Sequence, residues 1–137
     1  MNIAYLLTPK HRVAFLYDDN TMRQGLEKLR HHGRSAVPVI NRKGQYVGTV
    51  SEGDFLWYIL IHNQNLDEIT LKSLEHMTVR DILQCGKVNP ACIDTSMESL
   101  LEKAKRQNFV PVIDDRNVFI GIVKRSDIIR YFVNGTK

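Results

Sequence analysis

The chain has 137 residues, of which 43% are hydrophobic and 25% are charged, and its formal net charge is +4. This size suits one compact unit or two very small ones, and no apolar run approaches the ~18 residues that a membrane-spanning helix needs. The basic residues are scattered as on a solvated surface, whereas a nucleic-acid binder concentrates its charge in one stripe or tail.

The N-terminus lacks the basic leader and the long apolar stretch of a secretion signal. The two cysteines, Cys85 and Cys92, form no metal-ligand pattern, and nothing in their spacing points to an oxidising compartment. We therefore expect a cytoplasmic protein without a structural metal.

The first half of the chain predicts the element order β-α-β-β-α. The first helix is marked by Thr21 and Gln24, which have the spacing of a capping box, and by Gly33 in the stop position. The other expected elements are strands over residues 13–16, 36–40 and 46–50 and an apolar helix that begins around Ser51.

The second half repeats the first. Residues 37–60 reappear without a gap as residues 110–133, so that Pro38, Gly48 and Asp54 are matched by Pro111, Gly121 and Asp127. A fixed-period repeat dictates architecture, and two copies are too few for a solenoid. We therefore predict an α/β fold in which two β-α-β-β-α repeats pack as a pseudo-twofold pair with a cleft between them.

The predicted boundaries are 1–61 for the first repeat, 62–76 for a connector and 77–137 for the second repeat. In the second copy, Thr95 and Glu98 predict the capping box of the first helix, and the last helix is expected from Ser126. Met77-Thr78 is interpreted as the counterpart of Leu7-Thr8, which precedes the opening strand of the first copy.

One acidic residue near the start of the last helix is shared by the two copies, as Asp54 in the first and Asp127 in the second. Ser51 and Asp54 either form a capping box or present a hydroxyl and a carboxylate that could hold a ribose at a helix N-terminus. Lys124 replaces the hydroxyl in the second copy, so no capping box can form through it, although Asp127 remains. Asp127 is then either a ligand-binding acid or a first-turn acid behind a Ser126 cap.

The doubled Val-Pro-Val strand, the Gly-h-h-Ser/Thr-x-x-Asp turn and the Met-Thr-Val-Arg-Asp-Ile lead-in resemble the tandem CBS-domain (Bateman module) family of free-standing bacterial type. The resemblance extends from Thr8 to Val133. It implies two β-α-β-β-α units with ligand clefts between them, and adenosine-containing ligands: AMP, ADP, ATP, S-adenosylmethionine or cyclic-di-AMP. Such a nucleotide would be a regulatory ligand and not a cofactor.

The resemblance also implies roles for individual residues. Asp54 would be the ribose carboxylate with Ser51 as its partner. Arg12 and Arg125 would hold phosphate, with Lys10 and Lys124 as secondary candidates. Small residues would line the adenine slot, although Val37 is equally well explained by core packing. The predicted ligand-binding set is Arg12, Val13, Ala14, Ser35, Ala36, Val37, Pro38, Ser51, Asp54, Lys124, Arg125 and Asp127.

The second site is predicted to be weak or blocked. Lys124 departs from the family pattern, and Phe109 stands at the position equivalent to Ala36, where it adds bulk. The combination of Arg12, Ala14, Ser35-Ala36 and Arg125 is similar to the cyclic-di-AMP-binding subset of the family.

The helix over residues 55–61 is apolar on nearly every side and predicts an association surface holding Trp57, Tyr58 and Ile61. A twofold homodimer would cover this surface; alternatively, the 62–76 connector covers it within one chain.

No catalytic constellation emerges from the sequence, so we expect no enzyme activity. The leading hypothesis is a sensor that binds an adenine nucleotide in the cleft between the repeats and modulates an unidentified partner protein. The alternative is a ligand-free dimerisation or scaffolding module in which Asp54 only caps a helix. Neither nucleic acid nor membrane is expected as a partner.

Overall fold

The computed structural model describes residues 3–33, 35–62, 74–83 and 89–134. Most of the predicted connector, and Cys85, lie outside these residues. Contacts divide the chain into two compact units: residues 14–87, called here the first unit, and residues 1–13 together with 88–137, the second unit. These units are defined by contacts, whereas the repeat boundaries predicted from the sequence are defined by its duplication. The predicted repeat boundaries therefore stay a prediction.

The order β-α-β-β-α occurs in both repeats, which confirms the predicted α/β fold class. No helix in the described ranges is long and apolar enough to cross a bilayer. In chain order the elements are β1 (Leu7–Pro9), β2 (Leu16–Tyr17), α1 (Met22–His32), β3 (Ala36–Ile40), β4 (Tyr46–Ser51), α2 (Glu52–His62), α3 (Val79–Ile82), β5 (Ala91–Cys92), α4 (Met97–Ala104), β6 (Phe109–Ile113), β7 (Phe119–Lys124) and α5 (Arg125–Val133).

The helix boundaries follow local capping chemistry. The predicted capping box of α1 is confirmed, because Thr21 Oγ1 accepts from the Gln24 N–H at 3.1 Å while Gln24 Oε1 accepts from the Thr21 N–H at 2.9 Å. Gly33 ends α1 with φ 62°, a left-handed conformation that glycine adopts at low cost.

The predicted cap of α4 at Thr95 is wrong. Ser96 caps this helix, and its hydroxyl accepts from the Ser99 N–H at 3.1 Å. The Thr95 hydroxyl is already engaged, because it accepts from the Cys92 N–H at 2.9 Å in the turn that leaves β5. The helix therefore begins one residue later than predicted.

Each unit contains one sheet. The first unit has the strand order β2-β3-β4 and the second unit the order β1-β7-β6-β5. Among the strands that the structure describes, β2 pairs only with Val39 and Ile40. One side of Pro38 therefore has no partner among them, and proline is tolerated at such a position. The same holds in the second unit, where β5 pairs only with Val112 and Ile113, beyond Pro111.

The cores of the two units use duplicated positions. In each, two valines of the Val-Pro-Val strand, one valine of the next strand and one residue of the following helix are buried, because alternate residues of a strand face the same side. These residues are Val37, Val39, Val50 and Phe55 in the first unit and Val110, Val112, Val123 and Ile128 in the second.

The N-terminal segment belongs to the sheet of the second repeat. β1 pairs antiparallel with β7, placing Thr8 opposite Ile122 and Pro9 opposite Gly121, and Ile3 is fully buried in the core of the second unit. The sequence did not predict this pairing, because the repeat pattern does not show which copy the segment joins.

The two duplicated glycines have different neighbours. A Cβ at Gly121 would lie 2.2 Å from the Thr8 carbonyl oxygen, and a Cβ at Gly48 would lie 2.7 Å from Leu83 Cδ2. The interpretation of Met77-Thr78 as the counterpart of Leu7-Thr8 stays a prediction. Thr78 pairs with Thr21 at the start of α1, whereas Thr8 pairs with Ile122 in the sheet.

Candidate functional site

A face of small side chains lies on the sheet of the first unit. Ala36 pairs with Ser51, and Pro38 pairs with Thr49. Their neighbour Val37 is in the core, so these four alternate residues face the opposite side of the sheet. Such a face lets a flat group approach the backbone closely, which larger side chains would prevent.

The start of α2 is fixed against this face. The Glu52 N–H, the first of the helix, donates to the Ser35 carbonyl at 2.9 Å. This bond holds the loop before β3 beside the helix N-terminus. The structure therefore brings together four of the predicted residues in the first unit: Ser35, Ala36, Ser51 and Asp54.

Asp54 has one carboxylate oxygen engaged and one open. Its Oδ2 accepts from the Ser51 N–H at 2.9 Å, and the Asp54 N–H donates to Ser51 Oγ at 3.2 Å. The capping box is thus complete, as one of the two interpretations of this motif required. Within the part of the chain that the structure describes, Oδ1 of Asp54 has no hydrogen-bond partner, so a cap and a ligand contact are compatible.

Two of the residues predicted to line the adenine slot, Val37 and Ala14, pack against the core of the first unit. Val37 is 3% exposed and belongs to the core of the first unit, which agrees with the packing interpretation. Any contact of this residue with a ligand would have to come from its backbone. Ala14 is half-buried and packs against the same core.

Thr49 is a residue of this face that sequence reasoning missed. Its hydroxyl lies 2.8 Å from the hydroxyl of Tyr46, which is only 6% exposed. Burial raises the pKa of Tyr46 to about 12, against the smaller opposing effect of this hydrogen bond. The signal was available, because Thr49 stands two residues before Ser51 on the same strand.

The corresponding face of the second unit is bulky. Phe109 pairs with Lys124, and Pro111 pairs with Ile122. Phe109, Lys124 and Ile122 replace the alanine, serine and threonine of the first unit. Pro111 is retained, and Val110 keeps its place in the core. A flat ligand therefore has less access to the backbone on this face than on its counterpart.

Asp127 differs from Asp54 in its surroundings. Lys124 is the N-cap of α5 and makes no side-chain cap bond, as predicted. Ser126 lies inside the helix, so the interpretation of Ser126 as a cap is wrong. Asp127 instead pairs with Arg130, whose Nη1 lies 3.1 Å from the carboxylate Oδ1.

Arg125 has both a structural contact and free donors. Its Nε donates to the carbonyls of Ala104 at 2.8 Å and Gln107 at 2.9 Å, which ties the loop after α4 to the start of α5. Across the described ranges its Nη groups have no hydrogen-bond partner. The guanidinium is therefore held in place while one edge stays available to an anion.

The other predicted phosphate arginine lies elsewhere in the second unit. Arg12 is exposed in a short 3-10 turn that follows β1 and packs against β7, and Val13 ends this turn in an extended conformation. Because Pro9 pairs with Gly121, the turn lies near the start of β7, whereas Arg125 follows its end. The strand covers ~13 Å between Gly121 and Arg125. The two arginine backbones are therefore well separated along β7.

Metal ligands are not clustered in the residues described: no group of three or more His, Cys, Asp or Glu side chains could hold an ion there. Cys92 is exposed and unpaired. The donor set of the small-residue face consists of one carboxylate, hydroxyls and backbone groups, which suits a polar organic ligand better than a transition metal.

The predicted association surface is exposed on α2. Leu56, Trp57, Leu60 and Ile61 are 57%, 67%, 42% and 66% exposed. Tyr58 differs from the prediction, because it is half-buried and packs against the core. Whether the 62–76 connector covers this surface concerns residues that lie mostly outside the described ranges.

Comparison with known proteins places these features in context. The CBS domain family matches residues 5–61 and again residues 75–134. An uncharacterized protein of Methanocaldococcus jannaschii is 28% identical over 143 aligned positions, which cover 86% of this chain and 84% of that protein.

Two solved structures share the fold closely. CbpB in complex with c-di-AMP has a TM-score of 0.83 and 26% identity, covering 95% of this chain and 83% of that chain. Listeria monocytogenes CbpB in complex with c-di-AMP has a TM-score of 0.82 and 25% identity, covering 96% and 94%.

Proposed function

The chain belongs to the CBS-domain family, and we propose that it is a regulatory module that binds an adenine nucleotide. The observation that carries the proposal is the open carboxylate oxygen of Asp54 beside a sheet face of small side chains in the first unit. Two relatives of similar fold are solved with c-di-AMP, which makes cyclic-di-AMP the first candidate before AMP, ADP and ATP.

In this proposal each part of the nucleotide meets a different part of the site. The ribose hydroxyls donate to Oδ1 of Asp54, which is a stronger acceptor than a neutral oxygen because it is charged. The base lies against the backbone at Ala36 and Ser51, where the side chains leave room. For the second unit we propose separately that Arg12, Lys124 and Arg125 contact phosphate; Val13 and Ala14 follow Arg12 in the chain.

We also propose that the module acts as a homodimer that modulates a partner protein. Exposed apolar side chains occupy equivalent positions on the last helix of both repeats, with Leu56 matched by Ile129 and Leu60 by Val133. Apolar groups exposed in this way favour association. Regulation then requires that the nucleotide bind two states of the surface with different affinities.

A second candidate function is a ligand-free dimerisation or scaffolding module. The complete capping box favours it, because the contacts of Ser51 and Asp54 already give both residues a structural role. In this case Asp54 contributes only the stability of a helix cap, about 1 kcal/mol.

Substitution of Asp54 separates the two candidates. Asp54→Asn keeps an oxygen for the Ser51 N–H but removes the charge, and Asp54→Ala removes both. A nucleotide-binding module loses affinity for cyclic-di-AMP or AMP at least about tenfold in both variants, as measured by isothermal titration calorimetry. A scaffold shows no nucleotide binding in the unsubstituted protein and loses stability only in Asp54→Ala.

Gln24→Ala is the matched control. It removes the corresponding member of the capping box of α1, and α1 and α2 both have 11 residues. The control should lower the free energy of unfolding by about 1 kcal/mol without changing nucleotide affinity. If Gln24→Ala and Asp54→Ala lose the same affinity, the loss comes from lower stability of the fold and not from a lost ligand contact. The assignment of Asp54 to the ligand would then be abandoned.

A further inference from the structure

An open cleft of about 330 Å³ lies along one side of α1, in the first unit. Its volume falls in the range of small-molecule sites, ~300–1,000 Å³. In the described part of the chain it is lined by Asn20, in the turn before the helix, and by Gln24, Glu27, Lys28 and His31 on α1. Because the four helical residues are spaced three or four positions apart, their side chains surround one point on the helix surface. The function proposed above uses none of these residues.

Asn20 is a buried residue with an open donor. It is only 7% exposed, and its Oδ1 accepts from the Tyr17 N–H at 2.9 Å and from Lys28 Nζ at 3.4 Å. Within the described ranges its Nδ2 makes no hydrogen bond, although every side-chain nitrogen or oxygen that is sealed from solvent there has a partner. The Nδ2 donors are therefore not sealed, and the cleft that Asn20 lines is where they are open.

Two further residues of the cleft have open donors. Lys28 is half-buried, and its Nζ lies 5.8 Å from the centre of the Tyr17 ring. This ring and Asn20 Oδ1 hold the ammonium in place, while the contact with Asn20 uses only one of its three donors. Gln24 Oε1 accepts from the Thr21 N–H at 2.9 Å, which fixes the amide and leaves its Nε2 without a hydrogen bond to the described residues. The cleft thus offers two amides and one ammonium group to an acceptor.

Glu27 adds an open acceptor to these donors. Its Oε1 accepts from Arg23 Nε at 3.2 Å, and its Oε2 makes no hydrogen bond across the described ranges. The cleft therefore presents donors for a carboxylate beside an acceptor for an ammonium group, within one helical turn. An α-amino acid carries these two groups on one carbon atom. Phosphate fits less well, because it is matched best by the planar fork of arginine and would be repelled by Glu27.

We propose that this cleft binds a free α-amino acid, with Asn20, Gln24 and Lys28 holding the carboxylate and Glu27 holding the ammonium group. The recognised groups are common to all amino acids, so they define the class of ligand and not one member of it. The site shares no residue with the proposed nucleotide site, and each can exist without the other.

NMR titration of the full chain tests the proposal, with L-alanine as the probe. The side-chain amide signals of Asn20 and Gln24 report on the donors directly and should shift as alanine is added. Propionate lacks the ammonium group and ethylamine lacks the carboxylate, so each should bind at least about tenfold more weakly than alanine. Inorganic phosphate at the same ionic strength should also bind more weakly.

Three variants assign the contacts. Asn20→Asp replaces the Nδ2 donors with a carboxylate oxygen but keeps the acceptor for Tyr17 and Lys28, so it should fold and lose alanine binding. Lys28→Gln should weaken alanine binding about tenfold. Glu27→Gln should weaken alanine to the level of propionate without weakening propionate itself. Lys43→Gln removes a lysine charge from the first unit outside the cleft; it is the matched control and should leave the affinity unchanged.

Three outcomes would overturn the inference. If alanine shifts neither side-chain amide, the cleft is not an amino-acid site. If propionate, ethylamine or phosphate binds as tightly as alanine, a single charge decides binding and the class of ligand is wrong. If Lys43→Gln weakens alanine as much as Lys28→Gln does, the loss follows net charge and not a contact in the cleft. Circular dichroism melts of every variant establish that a lost affinity is not lost folding.

Discussion

Replacing Gly121 with alanine should detach β1 from β7, whereas the same change at the duplicated Gly48 should be milder. A Cβ at Gly121 would lie 2.2 Å from the carbonyl oxygen of Thr8, a backbone atom that moves only if β1 moves. A Cβ at Gly48 would lie 2.7 Å from the end of the flexible Leu83 side chain. The two φ angles, 156° and 159°, are nearly equal, so the conformational strain of alanine largely cancels in the comparison.

The size of the difference follows from the pairing at risk. β1 pairs with β7 over Leu7, Thr8 and Pro9. Each backbone hydrogen bond contributes about 1 kcal/mol net, and a steric overlap with a fixed neighbour costs ~1–3 kcal/mol. We therefore expect Gly121→Ala to lower the free energy of unfolding by ~2–3 kcal/mol more than Gly48→Ala.

Urea unfolding measures the two free energies, and hydrogen exchange of the β1 amides shows whether the strand has separated. Adding Leu83→Ala should relieve Gly48→Ala, because the overlapping side chain is removed. Adding Thr8→Ala should not relieve Gly121→Ala, because the overlapping atom is the carbonyl. Equal losses for the two glycine variants, or unchanged exchange in β1, would refute this reasoning.

Three further predictions concern single side chains. Burial raises the pKa of Tyr46 to about 12, above its ordinary value of 10.0, so the folded protein keeps a proton that the unfolded chain loses first. The protonated hydroxyl of Tyr46 therefore contributes its full stabilisation below pH 10 and loses it as the pH rises to about 12. Urea titrations at stepped pH should show the free energy of unfolding fall by ~2–3 kcal/mol over this range, and Tyr46→Phe should remove that fall. Lys124→Ser should supply the missing cap of α5, raising the melting temperature and adding about 1 kcal/mol to the free energy of unfolding. An unchanged melting temperature would mean that residue 124 is not the N-cap of this helix. Arg125→Gln should cost about 1–2 kcal/mol in urea unfolding, because two carbonyls lose their donor; a neutral result would show that the Arg125 contacts contribute nothing to stability.

The repeated pattern predicted the fold well because both copies carry the same local signals. The two valines of each Val-Pro-Val strand lie on the same face, in the core, and the cap at Thr21 and the stop at Gly33 bound α1 as expected. The position of Asp54 at the start of α2, close to Ala36 and Ser51, was also predictable, since the strand pairing follows from the hairpin between β3 and β4.

The features that the sequence did not predict depend on choices between nearby alternatives or on distant contacts. Thr95 and Ser96 are adjacent hydroxyl residues, and only the bond from the Cys92 N–H decides which one is left to cap α4. Thr49 was missed because its role comes from the face that it shares with Ser51.

The pairing of β1 with a strand of the second repeat constrains how the protein folds during its synthesis. β1 leaves the ribosome before its partner β7, because β7 belongs to the second repeat. During synthesis β1 has no strand partner, and Ile3 has no core to pack in, until the second repeat has been translated. A fragment that holds only the second repeat would lack β1, and the exposed edge of β7 could then pair with another chain. The chain therefore cannot be cut between the two repeats without leaving a strand unpaired.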